Sequence, residues 1–132
     1  MELLIHDSYK LSEIQEEFSK HFPYLKLEFF NLDPTKSTQM FSKQNLITQL
    51  HKTLAEVRHI HTAGHLSING HQKVSTLEKH FAKDFGINIQ VFRKSCNNWL
   101  QTTATDEWTL SEQNKIGEEM EVDLSKEIEN GN

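Results

Sequence analysis

Residues 86–109, GINIQVFRKSCNNWLQTTATDEWT, read as two strands joined by a polar turn and followed by a helix start. They hold both tryptophans and the single cysteine of the chain. Asn88 to Arg93 and Trp99 to Thr103 pair as a hairpin across Lys94-Ser95-Cys96-Asn97-Asn98, a loop of hairpin length rich in turn formers. Just upstream, Val74, Leu77, Phe81 and Phe85 recur at helical spacing and predict a buried stripe. Ser75 with Glu78 has capping-box spacing, and Gly86 stands where a left-handed residue closes the helix. Ahead of that helix, Gly64–Gly70 alternates Leu66 and Ile68 against His65, Ser67 and Asn69, a compact strand. Downstream, Thr109 caps with Glu112 and opens a helix that Leu110, Ile116 and Met120 can dock. Gly117 weakens that helix by about 1 kcal/mol, and the acidic run past Met120 predicts fraying.

The first half of the chain has the same ingredients. Leu3 and Ile5 alternate in a strand over Glu2–Asp7. Leu11, Ile14, Phe18 and Phe22 form a helical stripe, Ser12 with Gln15 has capping-box spacing, and Pro23 ends the helix by disfavouring helical geometry at Phe22. Tyr24–Phe30 alternates as a strand and Asn31-Leu32-Asp33-Pro34 supplies turn chemistry. Residues 35–44 read as a surface loop. Asn45–Val57 fits a helical face better than a strand, with a short helix over Leu54–Arg58 capped by Thr53 and Glu56. The order β-α-β, insertion, β-α-β, further strand and helix predicts an α+β domain of the ferredoxin-like α/β plait type, with an extra hairpin strand and a C-terminal helix.

At 132 residues the chain suits one domain, expected over 1–120 with an acidic tail over 121–132. Residues 106–132 carry nine acids and two bases, whereas the remainder carries twelve bases, ten acids and all eight histidines. The overall charge of −5 therefore belongs to the end, and an acidic tail folded over the basic body is one consequence. One cysteine suits a reducing compartment, Met1–Lys10 has no export-signal pattern and no run approaches a membrane span, so a cytoplasmic location is expected.

Two blocks carry a resemblance. Thr53, Leu54, Glu56, Arg58 and His61 form a TL-x-E-x-R…H stretch. Arg93, Lys94, Ser95, Trp99, Thr102, Thr103, Thr105, Asp106 and Trp108 form a VFRKS…W…TT-x-T-D-x-WTL stretch. Together they resemble a group of short, uncharacterised bacterial proteins of the Bacteroidetes type, which implies no activity and no site roles.

No nucleotide-loop, nucleophile-elbow or dinucleotide fingerprint occurs, so no cofactor is implied. His59, His61 and His65 have the spacing H-x-H-x3-H, and the first two would share a strand face and could ligate a metal, given a third ligand and an orienting shell. Arg58, His61, Arg93, Lys94 and Thr102 are the candidates for an anion or small-molecule site, because guanidinium forks beside hydroxyls suit carboxylate or phosphate. The competing reading makes Arg58 or Arg93 an internal bridge to Glu56, Asp106 or Glu107. Phe30, Phe92 and Trp99 could stack bases, yet a pI near 5.9 argues against nucleic acid. The expectation is a non-catalytic binding or interaction module, with a sheet face or edge open to pairing as a homodimer. Its alternative is a small-molecule, anion or metal-dependent site using Arg58, His61 and Arg93, open to enzymatic use.

Overall fold

The structure, a computed structural model, describes residues 1–32 and 42–129. It contains β1 (Glu2–Ile5), α1 (Leu11–His21), β2 (Leu25–Phe30), α2 (Leu54–Val57), β3 (Gly64–Ser67), α3 (Val74–Phe85), β4 (Asn88–Ser95), β5 (Asn98–Gln101) and α4 (Leu110–Glu129), with single 3-10 turns at Lys43–Asn45 and Thr103–Thr105. The expected α+β class is what the chain adopts. The expected hairpin and C-terminal helix are both present, and the hairpin closes more tightly than its composition suggests, with Ser95 paired to Asn98 across Cys96 and Asn97. The surface loop expected over 35–44 lies mostly outside the described residues. The helix α4 extends through the acidic run to Glu129. No described helix is long and apolar enough to cross a membrane.

Strand order departs from the ferredoxin-like plait. In that fold the second and fourth strands occupy opposite edges of one sheet. Here β1 pairs with β3, and β2 pairs directly with β4, which also carries β5, all antiparallel. The edge of β2 that a plait would offer to another strand is already used. Gln15 Nε2 donates to Leu27 O at 2.7 Å and Ser19 Oγ to Leu25 O at 3.0 Å from α1. Ile47 N takes the Phe29 carbonyl at 2.8 Å. Strand carbonyls satisfied in this way have little left to offer a ladder.

What replaces the plait is a duplication. Leu11, Ile14, Phe18 and Phe22 correspond to Val74, Leu77, Phe81 and Phe85, and all eight are buried. Leu3 faces Leu66 in one ladder and Glu28 faces Gln90 in the other, each position opposite its own counterpart. The connections repeat as well. Leu54 N donates to Tyr9 O as Leu110 N does to Gln72 O, both at 2.9 Å; Leu11 N donates to Lys52 O as Val74 N does to Trp108 O, both at 3.0 Å. Isolated bridges join Lys10 to Thr53 and Lys73 to Thr109. The chain is thus two β-α-β-arm-helix units related by a pseudo-twofold axis between β2 and β4, sharing one core to which both contribute.

The same joints correct two helix starts. The N-cap positions are Lys10 and Lys73, so Ser12 and Ser75 lie inside the first turns. Helix-start N–H groups need acceptors, and here the carbonyls of Lys52, Leu50, Trp108 and Asp106 supply them. Gln15 and Glu78 are released to reach strand edges. Thr53 with Glu56 and Thr109 with Glu112 do cap as spaced: Thr53 N donates to the Glu56 carboxylate at 3.0 Å and Glu112 N to Thr109 Oγ1 at 3.1 Å. Gly86 closes α3 at φ 67°.

Candidate ligand-binding cleft

The residues singled out for an anion site are dispersed. Arg58 is buried. Its Nη2 donates to Asp7 Oδ1 at 2.8 Å, and its Nη1 donates to Thr62 O at 2.9 Å and Phe85 O at 3.0 Å. It is an internal bridge, although its acid is Asp7 and not the sequence neighbours considered for it. His61 Nδ1 lies 3.0 Å from Asp7 Oδ2. The Arg58 guanidinium first, and His61 second, hold the Asp7 carboxyl below its ordinary range. Arg58 borders the Phe30–Asn88 end of the β2–β4 ladder, whereas Arg93 pairs with Leu25 at the other end. Five strand steps put those ends roughly 17 Å apart. Arg93 Nη1 donates to Gln113 Oε1 at 2.9 Å beneath α4. Thr102 is buried, its hydroxyl given to Val91 O at 2.8 Å. Arg58, His61, Arg93 and Thr102 therefore do not converge.

Nor do the histidines. His61 sits on Asp7 and His65 Nδ1 lies 3.3 Å from Glu2, while His59 is exposed. Among the described residues no group of three or more histidine, cysteine or carboxylate side chains is placed to hold a metal.

The structure instead gathers residues that were read separately. Alternation on β2 sends Leu25, Leu27 and Phe29 into the core and Lys26, Glu28 and Phe30 to the opposite face. Antiparallel register sets Phe92 beside Lys26. The two arms that follow the duplicated strands, 42–46 and β5, flank this face. Between them lies a cleft of about 360 Å³, lined by Phe30, Leu46, Phe92, Trp99 and Gln101 together with Lys26, Glu28, Ser42 and Lys43. It is within the size range of small-molecule sites and mixes aromatic walls with a few polar groups. Lys26 Nζ lies 2.9 Å from Glu28 Oε1, 5.8 Å from the Phe92 centroid and 4.9 Å from that of Trp99. Lys94, on the same strand face, lies 5.2 Å from the Trp99 centroid and 3.5 Å from Glu121 Oε1. That contact brings the first acid of the C-terminal run onto a body cation.

Lys26, Glu28, Lys43, Leu46 and Gln101 were not among the sequence candidates. One signal was available: YLKLEFF places Phe30 on the same face as Lys26 and Glu28, an aromatic on the polar side of a strand. A second residue missed is Glu78, whose carboxylate accepts from Val91 N at 3.1 Å. Burial pushes its pKa up to about 7, with Asp106 adding to the shift and the Val91 amide opposing it. Capping-box spacing concealed this role. Neither a protein-family model, nor a curated protein, nor a solved structure matches the chain, so the geometry alone carries the functional reading.

Proposed function

We propose that the protein is a non-catalytic binding module, and that its ligand face is the pseudo-twofold cleft between the two arms. The observation that supports this is the meeting of Phe30, Phe92 and Trp99 with Lys26 and Lys43 in one solvent-open cleft of about 360 Å³. Aromatic rings supply contact area and the lysines supply orientation, which is the composition of a small-molecule pocket. Chemistry is a weaker fit. Among the described residues the cleft has one carboxylate, Glu28, already tied to Lys26. Those residues include neither a nucleophile beside a base nor a pair of acids with divergent pKa values. The anion-binding idea attached to Arg58 and Arg93 passes to this face, with Lys94 at its margin.

Titrating isotopically labelled protein with a library of small aromatic fragments tests the reading. Amide shifts confined to 26–30, 42–46 and 92–101, abolished by Trp99→Ala, are the expected result. Shifts scattered over the surface, or none, would overturn it. So would a finding that Trp99→Ala changes the oligomeric state while no fragment binds, because the face would then belong to a second copy of the chain.

A further inference from the structure

We propose that the cleft selects a planar aromatic anion, a small aromatic carboxylate or sulfonate, and that Lys43 and Lys26 are its charge-recognising residues. The inference rests on the ligand face just described and adds the class of molecule. Its first support is the state of the aromatic wall. The π faces of Phe92 and Trp99 already carry the Lys26 ammonium, 5.8 and 4.9 Å from their centroids, and that ammonium also contacts Glu28. A cationic ligand would have to displace Lys26 from both rings and from its carboxylate. An anionic ligand adds to that arrangement, since its ring can lie against Phe30, Leu46 and Phe92 while its charge meets ammonium groups. Cation–π contacts are attractive only for the positive partner.

The second support is charge that is left over. Among the described residues Lys43 is exposed and makes no ion pair. Lys26 is matched by Glu28, so the described lining residues carry one positive charge in excess. Lys94 is matched by Glu121 behind Trp99.

The third support comes from the duplication, which provides an internal control on what folding requires. Phe30 and Phe92 occupy equivalent strand positions, Leu54 and Leu110 equivalent helix starts, and in both cases the fold uses the same residue type twice. Lys26 corresponds to Asn88. Counting back from the equivalent arm positions Leu46 and Gln101, Trp99 corresponds to Gln44. The second half folds without a cation at this strand position, and the first half folds without an indole at this arm position. Neither residue is demanded by the duplicated fold, and their meeting from opposite halves, 4.9 Å from ammonium to indole centroid, makes one end of the cleft cationic and aromatic.

A free small molecule is favoured over the base of a nucleic acid. The cleft is bounded by an arm on either side, its volume suits one fused ring system, and the chain as a whole carries −5.

Three probes of one shape separate the possibilities: 2-naphthoate, 2-naphthylmethylammonium and 2-naphthylmethanol, each titrated into the full chain by ligand-observed NMR. The naphthoate is expected to bind about ten-fold tighter than the ammonium. Lys43→Gln should weaken the naphthoate about three-fold and leave the alcohol unchanged, with near-UV circular dichroism showing the fold intact. If the ammonium or the alcohol binds as well as the naphthoate, the anion class is wrong and the ligand face stands. If none of the three binds, the face itself is wrong. Tighter binding of a ten-nucleotide oligouridylate than of the naphthoate would overturn the small-molecule assignment.

Discussion

Glu78 takes the place on α3 that Gln15 takes on α1, and both side chains close a strand edge. Gln15 can donate to a carbonyl, whereas Glu78 must accept from the Val91 amide. Accepting does not require a charge, and burial raises the pKa of the group from 4.5 to about 7. The folded chain thus holds a proton that the unfolded chain releases first. Stability falls as pH rises through the window between these two values, and is level above it. Glu78→Gln keeps the acceptor and removes the titration. The substitution is expected to flatten that slope and to stabilise the protein at pH 8 by up to roughly 3 kcal/mol, with less gain near pH 5. Urea unfolding at the two pH values measures this, and an unchanged slope would assign the effect to another group. Cys96 is the second residue with a local cost. It is exposed, at φ 54° in the tight turn between β4 and β5. A side chain in that region costs about 1–2 kcal/mol, partly offset by the greater unfolded freedom of glycine. Cys96→Gly should therefore stabilise by about 0.5–1 kcal/mol, read as a higher unfolding midpoint.

At the level of elements, α4 shows how propensity and packing part company. Glycine lowers the intrinsic stability of a helix, and on sequence Gly117 is a weakness. In the fold a Cβ at this position would stand 2.7 Å from Tyr24 Cβ and 3.2 Å from Tyr24 O. The helix needs glycine there to reach the end of β2, where Asn114 Oδ1 also accepts from Tyr24 N at 2.9 Å. Gly117→Ala is expected to destabilise by about 1–3 kcal/mol despite its better propensity, and a rise in the thermal midpoint would contradict the close approach. The apolar stripes of α1 and α3 were legible because helical periodicity needs only local sequence. The Ser12–Gln15 and Ser75–Glu78 spacings misled because the first-turn amides of these helices are met by distant carbonyls, which no local pattern reveals. The cleft was half legible: Phe30, Phe92 and Trp99 stood out as aromatics, but what joins them is the register of β2 on β4.

For the whole molecule, composition and the two β-α-β units were visible, and the duplication was not. Few residues recur identically, and the arm that follows β4 after a two-residue turn follows β2 only after the long stretch between Phe30 and Leu46. Strand pairing across the pseudo-twofold axis overrode the plait expected from element order alone. Both β1–β3 and β2–β4 join the first half to the second, and among the described strand ladders the β4–β5 hairpin alone is internal to one half, beside isolated bridges such as Phe30–Leu46. Chains cut between Ile60 and Gly64 should each lack stable structure and should fold when mixed, which far-ultraviolet circular dichroism can follow. A half that folds alone would show that its core is self-sufficient.

The covalent link through residues 59–63 therefore does for this chain what association does for a two-subunit protein. A tether of this kind sets an effective concentration in the millimolar range, and the intact chain should unfold at a midpoint independent of dilution. Once nicked there, the same fold would melt at a temperature that climbs with protein concentration, as the interface between two separate molecules does.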